Sequence, residues 1–162
     1  MSCEALPRPG FLRLRTRLIA CGLLAALSLP GVAGASLGQY GSTIESDVAR
    51  LQAQRHIAPL AAYTVHELQL AGGTRVREYL TASQQVFAVA WSGPHIPDLQ
   101  QLLGSYFPRY QDAARALNRA RRPVVLKDPD LVVQTGGHAR AFYGVAYLPL
   151  MMPPGIDPSQ IR

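Results

Sequence analysis

The sequence has little cysteine. Only Cys3 and Cys21 occur among 162 residues, and both lie in a segment with the pattern of a cleavable leader. A chain that loses this segment has no thiol, so it forms no disulfide and has neither a cysteine nucleophile nor a thiolate metal ligand. Its stability must therefore come from the burial of apolar surface.

Acidic residues are also few, yet the basic excess is modest. Four of the 16 basic residues and one of the 10 acidic residues precede Ser36, so the formal charge of +6 falls to about +3 without the leader. A nucleic-acid-binding domain typically combines a basic stripe with a recognisable motif, and the sequence has neither. We therefore expect no nucleic-acid partner.

The first 35 residues predict a signal peptide. Arginines precede an apolar run at 18–29, and Ala33-Gly34-Ala35 has the small-x-small pattern of a cleavage site. A membrane span needs about 20 apolar residues, and the run at 18–29 has only twelve. We therefore predict no transmembrane span in the mature chain. A lipoprotein box at 18–21 is the alternative, although most of the apolar run follows its cysteine. We expect the protein in the periplasm, with secretion to the medium as the alternative.

Hydrophobic periodicity divides the remainder into helices and strands. Residues 36–60 predict a flexible lead-in with a short amphipathic helix near 43–55, residues 61–150 a single α+β domain, and 151–162 an irregular proline-rich tail. The expected fold is a short N-terminal helix, an antiparallel three-strand meander, a long kinked helix packed on the sheet, and two further antiparallel strands. The predicted strands are 63–70, 74–81, 85–91, 131–135 and 138–148, and the helix is 99–117.

Proline and glycine positions predict where these elements bend. Pro108 interrupts the apolar stripe of the long helix, which predicts either one kinked helix or two helices meeting near 105–108. Gly136-Gly137 predicts the turn of the last hairpin.

The first hairpin has two candidate registers. A two-residue turn at Gly72-Gly73 would place Glu67 opposite Glu78, and opposed like charges are unfavourable. We therefore favour a loop one residue longer, which pairs Leu70 with Val76, although a glycine pair is a strong two-residue turn signal.

The most enzyme-like pair is His66 with Glu78, which the favoured register places diagonally on one face of the sheet. A carboxylate can hold an imidazole in one tautomer and raise its basicity. The more common structural explanation is a buried histidine satisfied by a neighbouring acid.

Four residues are candidates for binding. His138 and Arg140 could form an anion-binding corner at the last turn, and Tyr106 and Tyr110 could form a stacking surface near the proline. The structural alternatives are a solvated hairpin end for the first pair and core packing for the second.

No metal or cofactor motif is found. A zinc-protease motif would require a second histidine where Leu70 follows His66-Glu67, and the other histidines, His56, His95 and His138, are widely separated. We therefore predict no metal and no cofactor.

Five segments of the chain carry a family resemblance: Tyr-Thr-Val-His-Glu at 63–67, Val-Arg-Glu-Tyr at 76–79, Val-Phe-Ala-Val-Ala-Trp at 86–91, Pro-Asp-Leu at 97–99 with Leu-Leu-Gly-Ser-Tyr-Phe at 102–107, and Gly-Gly-His at 136–138 with Arg-Ala-Phe at 140–142. In this order they resemble the bacterial domain of unknown function 2844 (DUF2844) family. The resemblance implies a small, exported, single-domain bacterial protein, most often of a Gram-negative envelope. It implies no activity, because the family has none assigned. Ala139 stands where the family usually has methionine.

These observations favour a non-catalytic module of the cell envelope. Its partner would be an envelope protein or a cell-wall or other envelope component. The alternative is a small hydrolase or transferase with a site assembled by the fold around His66, Glu78 and His138.

Overall fold

The chain folds around an antiparallel sheet. The computed structural model describes residues 37–43, 48, 53–117 and 123–162, all within a compact unit that spans Gly31–Arg162. Among these residues, seven strands form one sheet in the order β1-β2-β3-β4-β7-β6-β5. The strands are β1 (Gln54–Pro59), β2 (Thr64–Gln69), β3 (Arg75–Leu80), β4 (Val86–Gly93), β5 (Val125–Lys127), β6 (Val132–His138) and β7 (Ala141–Tyr147).

The predicted arrangement of elements is wrong. The structure has a seven-stranded sheet rather than a three-strand meander followed by two strands, because β1 and β5 were not predicted. The predicted helix near 43–55 falls mostly outside the described residues, and its last two positions, Gln54 and Arg55, belong to β1. Ahead of that segment, Gly41–Thr43 forms a 3-10 turn. Strand β7 pairs with β4, so the C-terminal strands extend the first sheet.

Both candidate registers for the first hairpin are also wrong. The structure pairs Leu68 with Val76 and Glu67 with Arg77. In the loop between the strands, Leu70 N donates a hydrogen bond to Thr74 O and Gly73 N donates one to Leu70 O. This register places apolar against apolar and joins Arg77 Nε to Glu67 Oε2 at 2.7 Å. It differs from the favoured register by two residues, and an even shift keeps every side chain on its predicted face.

The helical segment between β4 and β5 is broken near the proline. Helix α1 (Leu99–Leu103) and helix α2 (Phe107–Ala116) are separated by a 3-10 turn at Gly104–Tyr106. The carboxylate of Asp98 caps α1 by accepting a hydrogen bond from Gln101 N at 3.1 Å. Pro108 lies in the first turn of α2, where its missing N–H costs no helical hydrogen bond. The two-helix alternative is therefore the one that the chain adopts.

The larger core lies on the side of the sheet that the helices cover, which we call the helix face. Leu102 and Leu103 of α1 are buried against it, and Phe107 and Tyr110 of α2 pack at its margin. Side chains alternate between the two sides of a strand, so every second residue of the strands points to the helix face and forms the other side of this core. The buried strand residues include Leu68, Val76, Val89, Trp91, Val133 and Ala146.

The opposite side of the sheet, which we call the tail face, has a smaller aromatic core. Tyr79 and Phe87 are buried there together with Ile161 from the C-terminal segment. The hydroxyl of Tyr79 donates to Arg162 O at 3.0 Å and accepts from Arg162 N at 3.1 Å. These contacts hold the proline-rich tail across the sheet.

An ion-pair cluster ties α2 to the turn between β5 and β6. The Arg109 guanidinium donates to both carboxylate oxygens of Asp130, at 2.8 and 2.9 Å, and also to Asp128. This cation lowers the pKa of Asp130 below its usual range. Because α2 and β6 form the two sides of the groove described below, the cluster fixes the distance between them.

Candidate functional site

Two glycines shape the hairpin of β6 and β7. The predicted turn at Gly136-Gly137 is wrong, because both residues lie within β6 and pair with Tyr143 and Phe142. The turn is formed instead by residues 139–140, where Arg140 adopts a φ of 67°. The glycine pair therefore marks a place where β7 lies close to β6, and the chain reverses direction three residues later.

A side chain at either glycine would meet a close neighbour. A Cβ on Gly136 would lie 2.6 Å from the hydroxyl of Tyr143, and one on Gly137 would lie 2.7 Å from Phe142 Cα. Gly137 also has a φ of 121°, which side chains rarely tolerate. Without side chains at these positions, the Tyr143 ring lies over β6.

A groove of about 990 Å³ lies between this hairpin and helix α2. Its apolar lining includes Trp91, Leu99, Tyr110, Phe142 and Tyr143. Trp91 is only 4% exposed, so its indole forms part of the floor. Pockets that hold small molecules typically have about 300–1,000 Å³ and a mostly apolar lining with a few polar groups. The groove has both properties.

The groove has one charged side chain among its described lining residues. Arg115 lines it from α2, and His138 and Thr135 line it from β6, whereas no Asp or Glu occurs among its described lining residues. The Thr135 hydroxyl already accepts a hydrogen bond from Val124 N at 3.3 Å. Arg115 is therefore the charged side chain best placed to meet a ligand of opposite charge.

The groove brings together two of the four predicted binding residues. Tyr110 and His138 both line it, from α2 and from β6. Tyr106 packs against the core instead, with its ring near Gly38. Arg140 is exposed at the hairpin turn and does not line the groove. Binding by any of the four stays a prediction.

His66 and Glu78 lie directly opposite each other on β2 and β3. Both point to the helix face, where His66 is 8% exposed and Glu78 is fully buried. His66 Nδ1 is buried and has no hydrogen-bond partner within the described part of the chain. Burial lowers the pKa of His66 below its ordinary value of 6.5, and the positive charge of Arg55 lowers it further. The imidazole is therefore held in its neutral form.

The fold does not bring His138 to this pair. Four inter-strand steps separate β2 from β6 in the sheet, which corresponds to about 19 Å at roughly 4.8 Å a step. Neither His66 nor Glu78 lines the groove. A hydrolytic site would require all three groups within reach of one substrate atom, and the sheet order separates them.

Replacing His66 with glutamine is expected to reduce the loss of stability between pH 7 and pH 5. The pKa of His66 is lower in the folded state than in the unfolded chain, so the unfolded state binds more protons as the pH falls. Stability is then fully present above pH 6.5 and is lost as the pH falls through the folded pKa, by at most about 1.4 kcal/mol per pH unit for one proton. Urea unfolding across this range measures the difference.

The matched control for this measurement is His56→Gln, at an exposed position of β1. This variant is expected to keep the slope of the wild-type protein. A slope that stays unchanged in His66→Gln would show that the buried imidazole does not limit stability in acid.

Metal ligands are not grouped in the described part of the chain. No three His, Cys, Asp or Glu side chains there are placed to hold a metal ion. His56 is exposed on β1, and His95 is exposed in the loop after β4, where its backbone N and O both bond to the Thr74 hydroxyl. No described helix is both long enough and apolar enough to cross a bilayer.

Together, the sheet, the helices and tail that cover its two faces, and the groove define a small antiparallel-sheet protein with a mainly apolar candidate site. The family model described as "Protein of unknown function (DUF2844)" matches residues 33–161. The chain therefore belongs to the DUF2844 family, as the sequence resemblance predicted. The comparisons with curated proteins and with solved structures find no match.

Proposed function

We propose that the protein is a non-catalytic binding module of the bacterial cell envelope and that the groove is its binding site. The observation that carries this proposal is the groove of about 990 Å³, with its aromatic and aliphatic lining and its few polar groups. Binding sites for small molecules are concave and mainly apolar, with a small number of polar groups that set orientation. A site of this kind binds without needing any of the groups that catalysis requires.

Export is the second part of the proposal. It is supported by the arginine-rich start, the apolar run at 18–29 and the small residues at 33–35. The family match begins at residue 33, next to the predicted cleavage site. Loss of the leader would also remove both cysteines, which suits an oxidising compartment. The proposed location is the periplasm.

The hydrolase or transferase alternative has less support. It depends on His66, Glu78 and His138 acting together, and His138 lies four strands away from the other two in the sheet order. The buried pair instead has the properties of a core contact. His138 then remains available as a lining residue of the groove.

Filling the groove tests the proposal. Ala114 of α2 lines the groove, whereas Ala116, two residues later on the same helix, is exposed and does not. Ala114→Phe is expected to occupy the groove and to reduce retention of an envelope component at least tenfold. Ala116→Phe is the matched control, since residues two apart on a helix face different directions, and it is expected to retain the component like the wild-type protein.

The measurement uses protein recovered from the periplasm without detergent, with its intact mass establishing removal of residues 1–35. Mass spectrometry then compares the components that co-purify with each variant. A component retained by the wild-type protein and by Ala116→Phe, but not by Ala114→Phe, supports the proposal. Equal retention by the wild-type protein and both variants, or no retained component, contradicts it.

A further inference from the structure

We infer that the ligand of the groove is an acidic amphiphile, namely a free single-chain lipid with a carboxylate head. Its hydrocarbon chain would lie against Trp91, Leu99 and Tyr110, and its carboxylate would face Arg115. This inference rests on the proposed function and specifies the chemistry of the ligand. Three features of the groove carry it.

The first feature is the contrast between the floor and the rim. Trp91 is almost completely buried, and Leu99 packs against the same core. Leu99 and Tyr110, which are only partly buried, line the groove and offer contact to a hydrocarbon chain but no charged partner. The cation Arg115 belongs to α2, at one side of the groove. A ligand with one apolar part and one charged part fits this division.

The second feature is the sign of the charge. Arg115 donates to Asp112 at 3.3 Å and to Gln111 at 2.8 Å, both within its own helix. A guanidinium has five N–H donors. The contacts of Arg115 with other described residues use only some of them, so donors remain for a ligand. No described lining residue is acidic. The Asp112 carboxylate offsets part of the Arg115 charge, so the remaining N–H donors of the guanidinium, rather than a net positive charge, would hold an anion.

The third feature is the small number of polar partners. A peptide brings a backbone amide at every residue, and each amide buried without a partner costs about 1–3 kcal/mol. The described lining residues supply few groups to satisfy them, and the Thr135 hydroxyl is already engaged by Val124 N. A hydrocarbon chain has no such requirement. The lining therefore favours a lipid over a peptide.

Trp91 makes the inference directly testable. It is the single tryptophan of the chain and it lines the groove, so tryptophan emission reports on this site. Dodecanoate, added below its micelle concentration to the mature protein, is expected to change the emission saturably. Decanoate is expected to bind about tenfold more weakly, because it buries two methylenes fewer. Ala114→Phe is expected to abolish both responses.

The head group is tested by comparing dodecanoate with dodecanol. Arg115→Gln is expected to weaken dodecanoate about fivefold and to leave dodecanol unchanged, because only the carboxylate forms a charge-assisted hydrogen bond. Arg75→Gln is the matched control, since Arg75 lies on β3, pairs with Glu67 and does not line the groove. It is expected to bind both ligands like the wild-type protein. Unchanged thermal unfolding of each variant establishes that it folds.

The outcomes separate this inference from the proposed function. Equal affinity for dodecanoate and dodecanol would overturn the acidic head and leave an apolar binding site. Absence of both responses, with an envelope component still retained in a groove-dependent way, would overturn the lipid in favour of a peptide or another polymer. Absence of both responses and of any groove-dependent component would overturn the inference and the proposed function together.

Discussion

Replacing Phe87 with alanine is expected to lower the free energy of unfolding by about 3–5 kcal/mol, the range for truncating a fully buried phenylalanine. Phe87 has no exposed surface. Its ring packs edge-to-face on Tyr63, with centroids 6.0 Å apart, and lies 6.2 Å from the ring of Tyr79. Such aromatic pairs add to the free energy gained by burial alone.

The position of Phe87 explains why the loss should be large. The register between β3 and β4 shifts at this point, so that Leu80 pairs with Val86 and Tyr79 with Ala88. Phe87 is the extra residue of this bulge, and its carbonyl accepts a hydrogen bond from Leu148 N at 2.9 Å. A cavity here would lie between the sheet and the tail. Truncation is therefore expected to weaken the packing of the aromatic core and the attachment of the tail to the sheet.

Urea unfolding measures this effect. Tyr143→Ala is a suitable control, because it truncates an aromatic side chain that is 59% exposed. It is expected to cost less than about 1 kcal/mol. A loss of that size in Phe87→Ala would show that the tail does not seal a packed core.

Much of the central sheet could be predicted from the sequence, because its strands alternate. The predicted ranges 63–70 and 74–81 contain β2 and β3, respectively, and the range 85–91 contains all but the last two residues of β4. The register was wrong by two residues, yet the assignment of His66 and Glu78 to one face survives. Side-chain direction in a strand depends only on whether the shift is odd or even.

The edge strands gave no such signal. Gln54–Pro59 is mostly exposed and has no apolar alternation, and β5 has only three residues. An edge strand of this kind is stabilised by hydrogen bonds to its neighbour rather than by a buried face. Periodicity measures burial, so it could not detect β1 or β5.

The groove could be predicted only in part. Tyr110 and His138 were identified because an aromatic stripe and a turn-like segment are local signals. The contribution of Trp91 depends on the pairing of β4 with β7, which are separated in the chain by two helices and two strands. Nothing local in the sequence specifies which strands become neighbours. The lining residues that depend on strand pairing therefore could not be predicted from the sequence.

Replacing Gly144 with alanine is expected to lower the free energy of unfolding by about 2–3 kcal/mol, as overpacking a buried site does. Gly144 pairs with Trp91 across β7 and β4, and the indole lies over it. A Cβ at this position would overlap Trp91 Cζ2 and Cε2 and would lie 2.7 Å from Cη2. The indole is 4% exposed, so it cannot move aside without disturbing the core.

The control for Gly144→Ala is Gly72→Ala. A Cβ on Gly72 would meet the His95 ring at 3.1 Å, and this ring is exposed and free to move, so the expected cost is within about 0.5 kcal/mol. Because Trp91 also forms part of the groove floor, Gly144→Ala should shift tryptophan emission as well as stability. Unchanged emission and stability would contradict the packing of the indole over β7.

A double-variant cycle identifies the cause of this destabilisation. Phenylalanine at position 91 lacks the outer atoms of the indole that a Cβ on Gly144 would meet. If overlap with the indole is the cause, Trp91→Phe combined with Gly144→Ala should cost less than the two single changes together, since residues in contact are not additive. If the costs simply add, the alanine acts through the backbone of β7 instead. The cycle therefore tests whether one aromatic ring both closes the core and forms the floor of the groove.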